Sequence, residues 1–280
     1  MLNVHLIQFN IRWRDPEANL AEMDRRLNAL NLPPPSEDAD RSQHLVLMPE
    51  MFTTGFSMDT EGVACQWKHS DRVLMWMKDR AGSGGFYLAG SLMMKHQRRM
   101  FNMFVLLTPT GDVHTYEKRH LFGLAGENKT YYPGKRRLVW EIGGYRVFPM
   151  VCYDLRFPVW SRNNLNYDVM VYVANWPAAR IEAWNILLKA RAVENQSYVV
   201  AVNRVGVDGT GTLYSGQSQV IDPMGTIVAQ AGDEDTVLSA VLDRGIIQDV
   251  RSRLPFLKDG DSFQMFGGKY TSRQAALRDD

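Results

Sequence analysis

Three side chains able to take part in chemistry each follow a stretch that reads as a strand: Glu50 after HLVLMP, Lys118 after VHTYE and Cys152 after RVFPMV. In α/β folds the carboxyl ends of strands are where ligands bind, so the three can converge although they lie far apart in sequence. Cys152 offers a thiol nucleophile. In VCYDLRFP an apolar strand breaks abruptly into a polar turn, and a thiol at such a turn, near amide N–H groups and a cation, is favoured as the thiolate. The bland alternative is an inert core cysteine. Glu50 stands directly after Pro49, where a carboxylate is costly unless it is paired or used, and a buried ion pair is its alternative. Lys118 in EKRHLF and Glu127 in GENKTYYPG have charged and polar neighbours, the ordinary setting of a solvated surface residue. His120, close to Lys118, keeps a Cys–His hydrolase open as a rival. Cys65 in EGVACQWK has no comparable setting and is read as structural.

The elements that must position these residues alternate along the chain. A strand over 3–10 is followed by Asp15-Pro16, an N-cap and first-turn pair, and by Leu20, Met23, Leu27 and Leu30 at helical spacing. The Pro-rich polar stretch 33–42 reads as a surface loop, and HLVLMPE as a strand ending at Glu50. A helix over about 67–80 leads through Gly82-Ser83-Gly84-Gly85 into the strand FYLAGSL; this glycine cluster precedes a strand instead of opening a helix, so it is no dinucleotide loop. Further strands are read at 103–108, 113–117, 145–151, 168–175 and 197–203, with a helix over 181–195. Strands on either side of Asp222-Pro223-Met224-Gly225, then TVLSAVLD and a last helix from Arg244, complete the chain. The alternation runs without a composition shift, so residues 1–280 read as one α/β domain with largely buried sheets.

Composition narrows the function classes. With 32 Lys+Arg against 31 Asp+Glu, the net charge of +1 carries no whole-protein footprint for nucleic acid or for an anionic membrane. Two cysteines cannot staple a framework. Neither a C-x-x-C pair nor an H-E-x-x-H string is present, and none of the six histidines stands at metal-ligand spacing from another. The start MLNVHLIQFN lacks a basic n-region, and no run approaches the roughly 20 apolar residues of a membrane span. A reduced, cytoplasmic protein is expected.

Together, LMPEMFTTGF around Glu50, YEKRHLF around Lys118, GENKTYYPG around Glu127 and VCYDLRFP around Cys152 resemble the nitrilase superfamily of carbon–nitrogen hydrolases. The strings EMFTTGFSM, ANWPAARIEAW, KARAVENQSYV and NRVGVDGTG are similar to its omega-amidase branch. The resemblance implies a four-layer αββα sandwich, commonly paired into a homodimer or higher homo-oligomer. It also implies hydrolysis of the terminal amide of small dicarboxylate monoamides such as 2-oxoglutaramate, with no metal or organic cofactor. In that reading Cys152 attacks the carbonyl, Glu50 is the general base, and Glu127 positions Lys118. Lys118 and the backbone N–H of Tyr153 hold the oxyanion. Phe52, Phe56, Tyr153, Arg156 and Trp176 are candidates to bind substrate; each taken singly is as well explained by core packing or an ion pair. Other substrates on the same scaffold, such as N-carbamoyl compounds, and a binding protein without turnover are the competing readings.

Overall fold

The computed structural model describes residues 1–32, 43–60, 67–96 and 98–265, so the expectations for 33–42 and for Cys65 fall outside the described residues. The strands in chain order are β1 (Leu2–Gln8), β2 (Gln43–Leu47), β3 (Tyr87–His96), β4 (Arg99–Leu107), β5 (Val113–Glu117), β6 (Trp140–Ile142), β7 (Tyr145–Val151) and β8 (Val169–Ala174). They continue with β9 (Tyr198–Asn203), β10 (Val205–Val207), β11 (Leu213–Ser215), β12 (Gln219–Ile221), β13 (Ile227–Gln230) and β14 (Thr236–Leu242). The helices are α1 (Pro16–Ala29), α2 (Trp67–Gly84), α3 (Glu127–Thr130), α4 (Pro158–Ser161), α5 (Ile181–Asn195) and α6 (Arg244–Arg253).

Two six-stranded mixed sheets form the middle of the fold, in the orders β14-β1-β2-β3-β4-β5 and β13-β12-β9-β8-β7-β6. Side chains alternate across a strand, and here each alternate set meets a different layer. Val4, Leu6, Leu45, Leu47, Phe104 and Leu106 of the first sheet join the core that contains the second sheet's Val147, Val171 and Val200. Their neighbours Ile7, Val46, Val105 and Leu107 pack instead against Leu20, Met23 and Leu27 of α1 and Val73, Met77 and Ala81 of α2. On the second sheet, α5 packs on β9 and β12 and buries Trp184, Leu188 and Ala192. Helix, sheet, sheet and helix make the αββα sandwich. Each fully buried aliphatic side chain in these layers contributes about 1.5–3 kcal/mol.

Local signals hold where they carry a mechanism. The Asp15 carboxylate accepts the Ala18 N–H at 3.1 Å, capping α1 with Pro16 in its first turn. Two expected boundaries move. β2 ends at Leu47, three residues short of Glu50, so Glu50 stands in a turn and not at the last pleat of the strand. α2 runs on through Gly84, and the chain turns into β3 at Gly85, whose φ of +65° suits glycine.

The buried face of β1 also holds a pH-sensitive contact. His5 Nε2 lies 3.0 Å from His44 Nδ1, and its Nδ1 lies 2.8 Å from Ser239 Oγ. Burial first, and then the neighbouring charge of His44, push the His5 pKa from 6.5 down to about 4. The native ring is therefore neutral where the unfolded ring takes a proton, and stability present above pH 6.5 is lost as pH falls toward 4. Denaturant midpoints measured across that window should fall with pH in the wild type and show a flatter dependence in His5→Asn.

Candidate active site

The direction of the strands brings the chemistry together. β1, β2 and β3 run parallel, and β5 is two antiparallel steps beyond β3, so β2 and β5 release the chain at the same edge of their sheet. β7 and β8 run parallel in the other sheet. Glu50 follows β2, Lys118 follows β5, Cys152 follows β7 and Asn175 follows β8. All four line one cavity of about 730 Å³.

Lys118 is the hub. Its Nζ donates to Glu50 Oε1 at 2.8 Å and to both oxygens of Glu127 at 2.9 Å, with the ammonium only 1% exposed and the carboxylates fully buried. The charged string around Lys118 suggests a solvated residue; its side chain is instead buried against Glu50, Glu127 and the Phe56 ring. Burial alone would lower the Lys118 pKa, but the negative charges of Glu127 and Glu50 outweigh it, and the net direction is upward. The lysine stays an ammonium. Burial pushes the Glu127 carboxyl up; Lys118 opposes this, while the charge of Glu50 adds to it. Glu127 is the first residue of α3 and stands behind Lys118, off the cavity wall.

Residues that the sequence reading passed over complete the frame. Asn102, in the middle of β4, donates through Nδ2 to Glu50 Oε1 at 2.7 Å and to Glu127 Oε1 at 3.1 Å, and its Oδ1 accepts from Ser91 Oγ at 2.8 Å. The Phe122 N–H donates to Glu127 Oε2 at 2.6 Å. Asn175 holds Glu50 from the other sheet: its backbone N–H donates to Glu50 Oε2 at 2.9 Å and its side-chain Nδ2 to the Glu50 carbonyl at 2.6 Å. A buried amide inside an apolar strand, as in RMFNMFVLL, was the available signal for Asn102, because such a group is buried only with partners.

Cys152 opens a short 3₁₀ turn, Cys152–Arg156, with φ of +43°. A non-glycine residue in the left-handed region costs about 1–3 kcal/mol and persists only where its surroundings enforce it. Asp154 does so: its Oδ2 accepts the Val151 N–H at 3.1 Å and the Tyr116 hydroxyl at 2.9 Å, and its Oδ1 accepts the His120 N–H at 2.8 Å. The Cys152 thiol donates to the Asn175 carbonyl at 3.7 Å. Burial pushes its pKa well up and the charge of Glu50 adds to this, with Lys118 opposing. The turn setting predicted a favoured thiolate; the geometry keeps the resting thiol protonated, because desolvation outweighs the single cation.

Of the substrate-binding candidates, Phe56, Tyr153, Arg156 and Trp176 line the cavity. Phe52 does not. It is fully buried in the core between the first sheet and the helices, tilted against Trp76 with ring centroids 6.2 Å apart. His120 is also off the cavity wall; its Nδ1 lies 2.8 Å from Asp154 Oδ1 and its ring stacks on Phe157 at 3.7 Å. Among the described residues no imidazole lines the cavity, as the Cys–His alternative requires.

Residues 3–252 match the family model described as carbon-nitrogen hydrolase. The chain is 41% identical to "Omega-amidase YafV" of Escherichia coli (strain K12), covering 95% of this chain and 99% of that protein. It is 28% identical to "2-oxoglutaramate amidase" of Bacillus subtilis (strain 168), covering 91% and 96%. Among solved structures it is similar to XC1258 from Xanthomonas campestris, a CN-hydrolase superfamily protein with an arsenic adduct in the active site, with a TM-score of 0.84, 36% identity and coverage of 95% and 99%. Among the described residues no helix is long and apolar enough to cross a membrane. The sandwich, the buried carboxylates and lysine beside a cysteine, and these likenesses agree: the chain belongs to the carbon-nitrogen hydrolase family and is a hydrolase of carbon–nitrogen bonds other than peptide bonds.

Proposed function

We propose that this chain is an omega-amidase that hydrolyses the terminal amide of small dicarboxylate monoamides such as 2-oxoglutaramate to the acid and ammonia. The observation that carries this reading is the fully buried Glu50–Lys118–Glu127 network opening onto Cys152 in one cavity. The names of the two relatives supply the substrate class.

The protonated resting thiol makes a general base necessary. Cys152 attacks the amide carbon as Glu50 takes the thiol proton, so a thiolate forms only where a carbonyl is present to receive it. The tetrahedral oxyanion is held by Lys118, whose ammonium is already desolvated and oriented, and by the Tyr153 N–H. Glu50 then gives its proton to the departing nitrogen, ammonia leaves and a thioester remains. Water enters, Glu50 takes its proton, and collapse of the second tetrahedral intermediate returns that proton to sulfur and releases the acid. Glu127 acts on Lys118, keeping it charged and aimed at the oxyanion. Asn175, which grips Glu50 by two N–H donors, keeps the carboxylate at the cavity wall. Of the carboxylate-binding candidates, Arg156 lines the same cavity and carries the complementary charge.

A coupled ammonia assay across 2-oxoglutaramate, glutaramate, short nitriles and N-carbamoyl amino acids tests the reading. Turnover of the two monoamides, with ammonia and no carbon dioxide released, is expected. Preferential turnover of the carbamoyl compounds, which yield both gases, would replace it with the N-carbamoyl reading.

A further inference from the structure

The acids on the cavity wall are already engaged. Lys118 holds Glu50, Arg14 pairs with Asp59, and Asp208 accepts the N–H groups of Thr210 and Thr212 and the Tyr214 hydroxyl. Two guanidinium groups on the same wall are different. Arg156 and Arg180 are half-buried, and among the described residues neither pairs with a carboxylate. Each instead lies over an aromatic face: Arg156 Cζ is 4.8 Å from the Trp176 ring centroid, and Arg180 Cζ is 5.1 Å from that of Phe122. Stacking of this kind holds the guanidinium plane while leaving its in-plane N–H donors available, and a half-buried cation without a counter-ion is poised for an anion.

The two arginines are also tied to each other and to the reacting groups. Trp176 carries Arg156 on its ring face, and its indole N–H donates to the Arg180 carbonyl at 2.8 Å. Phe122, under Arg180, is the residue whose backbone N–H holds Glu127. Arg180 ends a short 3₁₀ turn, Ala178–Arg180, and immediately precedes α5, so its backbone is set by helical structure and not by a free loop.

We propose that Arg180 is a specificity-determining residue that acts with Arg156 as a clamp for the far carboxylate of the substrate. The substrate class is thereby restricted to ω-amides that end in an anion. This rests on the amidase reading above. Arg180 was not among the candidates that the motifs supplied; it is singled out by its place on the wall and its missing counter-ion.

The test compares glutaramate with pentanamide, a neutral amide of the same carbon count, in the wild type, Arg180→Gln and Arg180→Lys. Loss of one charge-assisted contact should lower the glutaramate-to-pentanamide ratio of kcat/KM about 10- to 100-fold in Arg180→Gln, chiefly through KM for glutaramate. Arg180→Lys, which keeps the charge without the fork, should fall between. In parallel, glutarate should protect Cys152 from iodoacetamide in the wild type and lose that protection in Arg180→Gln. An unchanged ratio, or equal loss toward both amides, overturns the clamp. Absence of ammonia from either amide with the wild type overturns the amidase reading instead, and glutarate protection, which needs no turnover, still decides whether Arg180 binds the carboxylate.

Discussion

Cys152→Ala is expected to reduce ammonia release by roughly four to six orders of magnitude, the scale seen when a covalent nucleophile is removed. The buried frame does not depend on the sulfur. Glu50 is held by Lys118, Asn102 and Asn175, and Glu127 by Lys118, Asn102 and Phe122, so the variant keeps its charge network and its fold. Alanine also leaves the left-handed φ of +43° at the turn, which the Asp154 contacts enforce from outside the residue. Circular dichroism and thermal denaturation should therefore match the wild type while the ammonia assay reads background. Turnover at the wild-type rate would remove Cys152 from the reaction altogether.

Lys118→Met should have the largest combined effect on stability and rate. The substitution leaves Glu50 and Glu127, both fully buried, without the cation that lies between them. Removing one partner from a buried ion pair costs about 3–5 kcal/mol, because the remaining charge is uncompensated. The pH dependence has a definite sign. In the wild type, burial and Glu50 raise the Glu127 pKa while Lys118 opposes them; without the cation that opposition is gone and the folded-state pKa lies further above the unfolded one. The native variant then binds more protons than its unfolded chain, so its stability falls as pH rises. Denaturant midpoints should show a larger gap from the wild type at alkaline than at mildly acidic pH. Where the protein remains folded, loss of the proposed oxyanion donor should lower kcat by a further 10²- to 10³-fold or so. A variant equally stable at both pH values would contradict the buried-charge account.

How much of this was legible depended on whether a signal was local. The break from RVFPMV into the turn at Cys152 could be read, because a strand end and a polar turn are written in consecutive residues. The burial of Lys118 could not, since Glu117, Arg119 and His120 beside it are residue types of a surface strand, and the groups that enclose its ammonium, Glu50, Glu127 and Phe56, come from other parts of the chain. Phe52 and Phe56 show the same limit at closer range. They are four residues apart in one motif, yet Phe52 enters the core and Phe56 lies on the cavity wall with its ring centroid 5.2 Å from Lys118 Nζ. The turn that carries Phe52 has Met51 at φ of +45°, a conformation that no propensity argument assigns to methionine.

The sequence by itself determined the layered α/β plan, because alternation in strands and the three-to-four spacing in helices are short-range patterns of hydrophobic burial. Through its motifs it also singled out Glu50, Lys118 and Cys152, which line one cavity. The tertiary structure alone decided which side chains meet, in which direction burial moves the thiol's pKa, and which arginines of the cavity wall pair with no carboxylate among the described residues. Those properties follow from distance and desolvation. Both are set by how the two sheets close on each other, and neither is encoded in the spacing of residues along the chain.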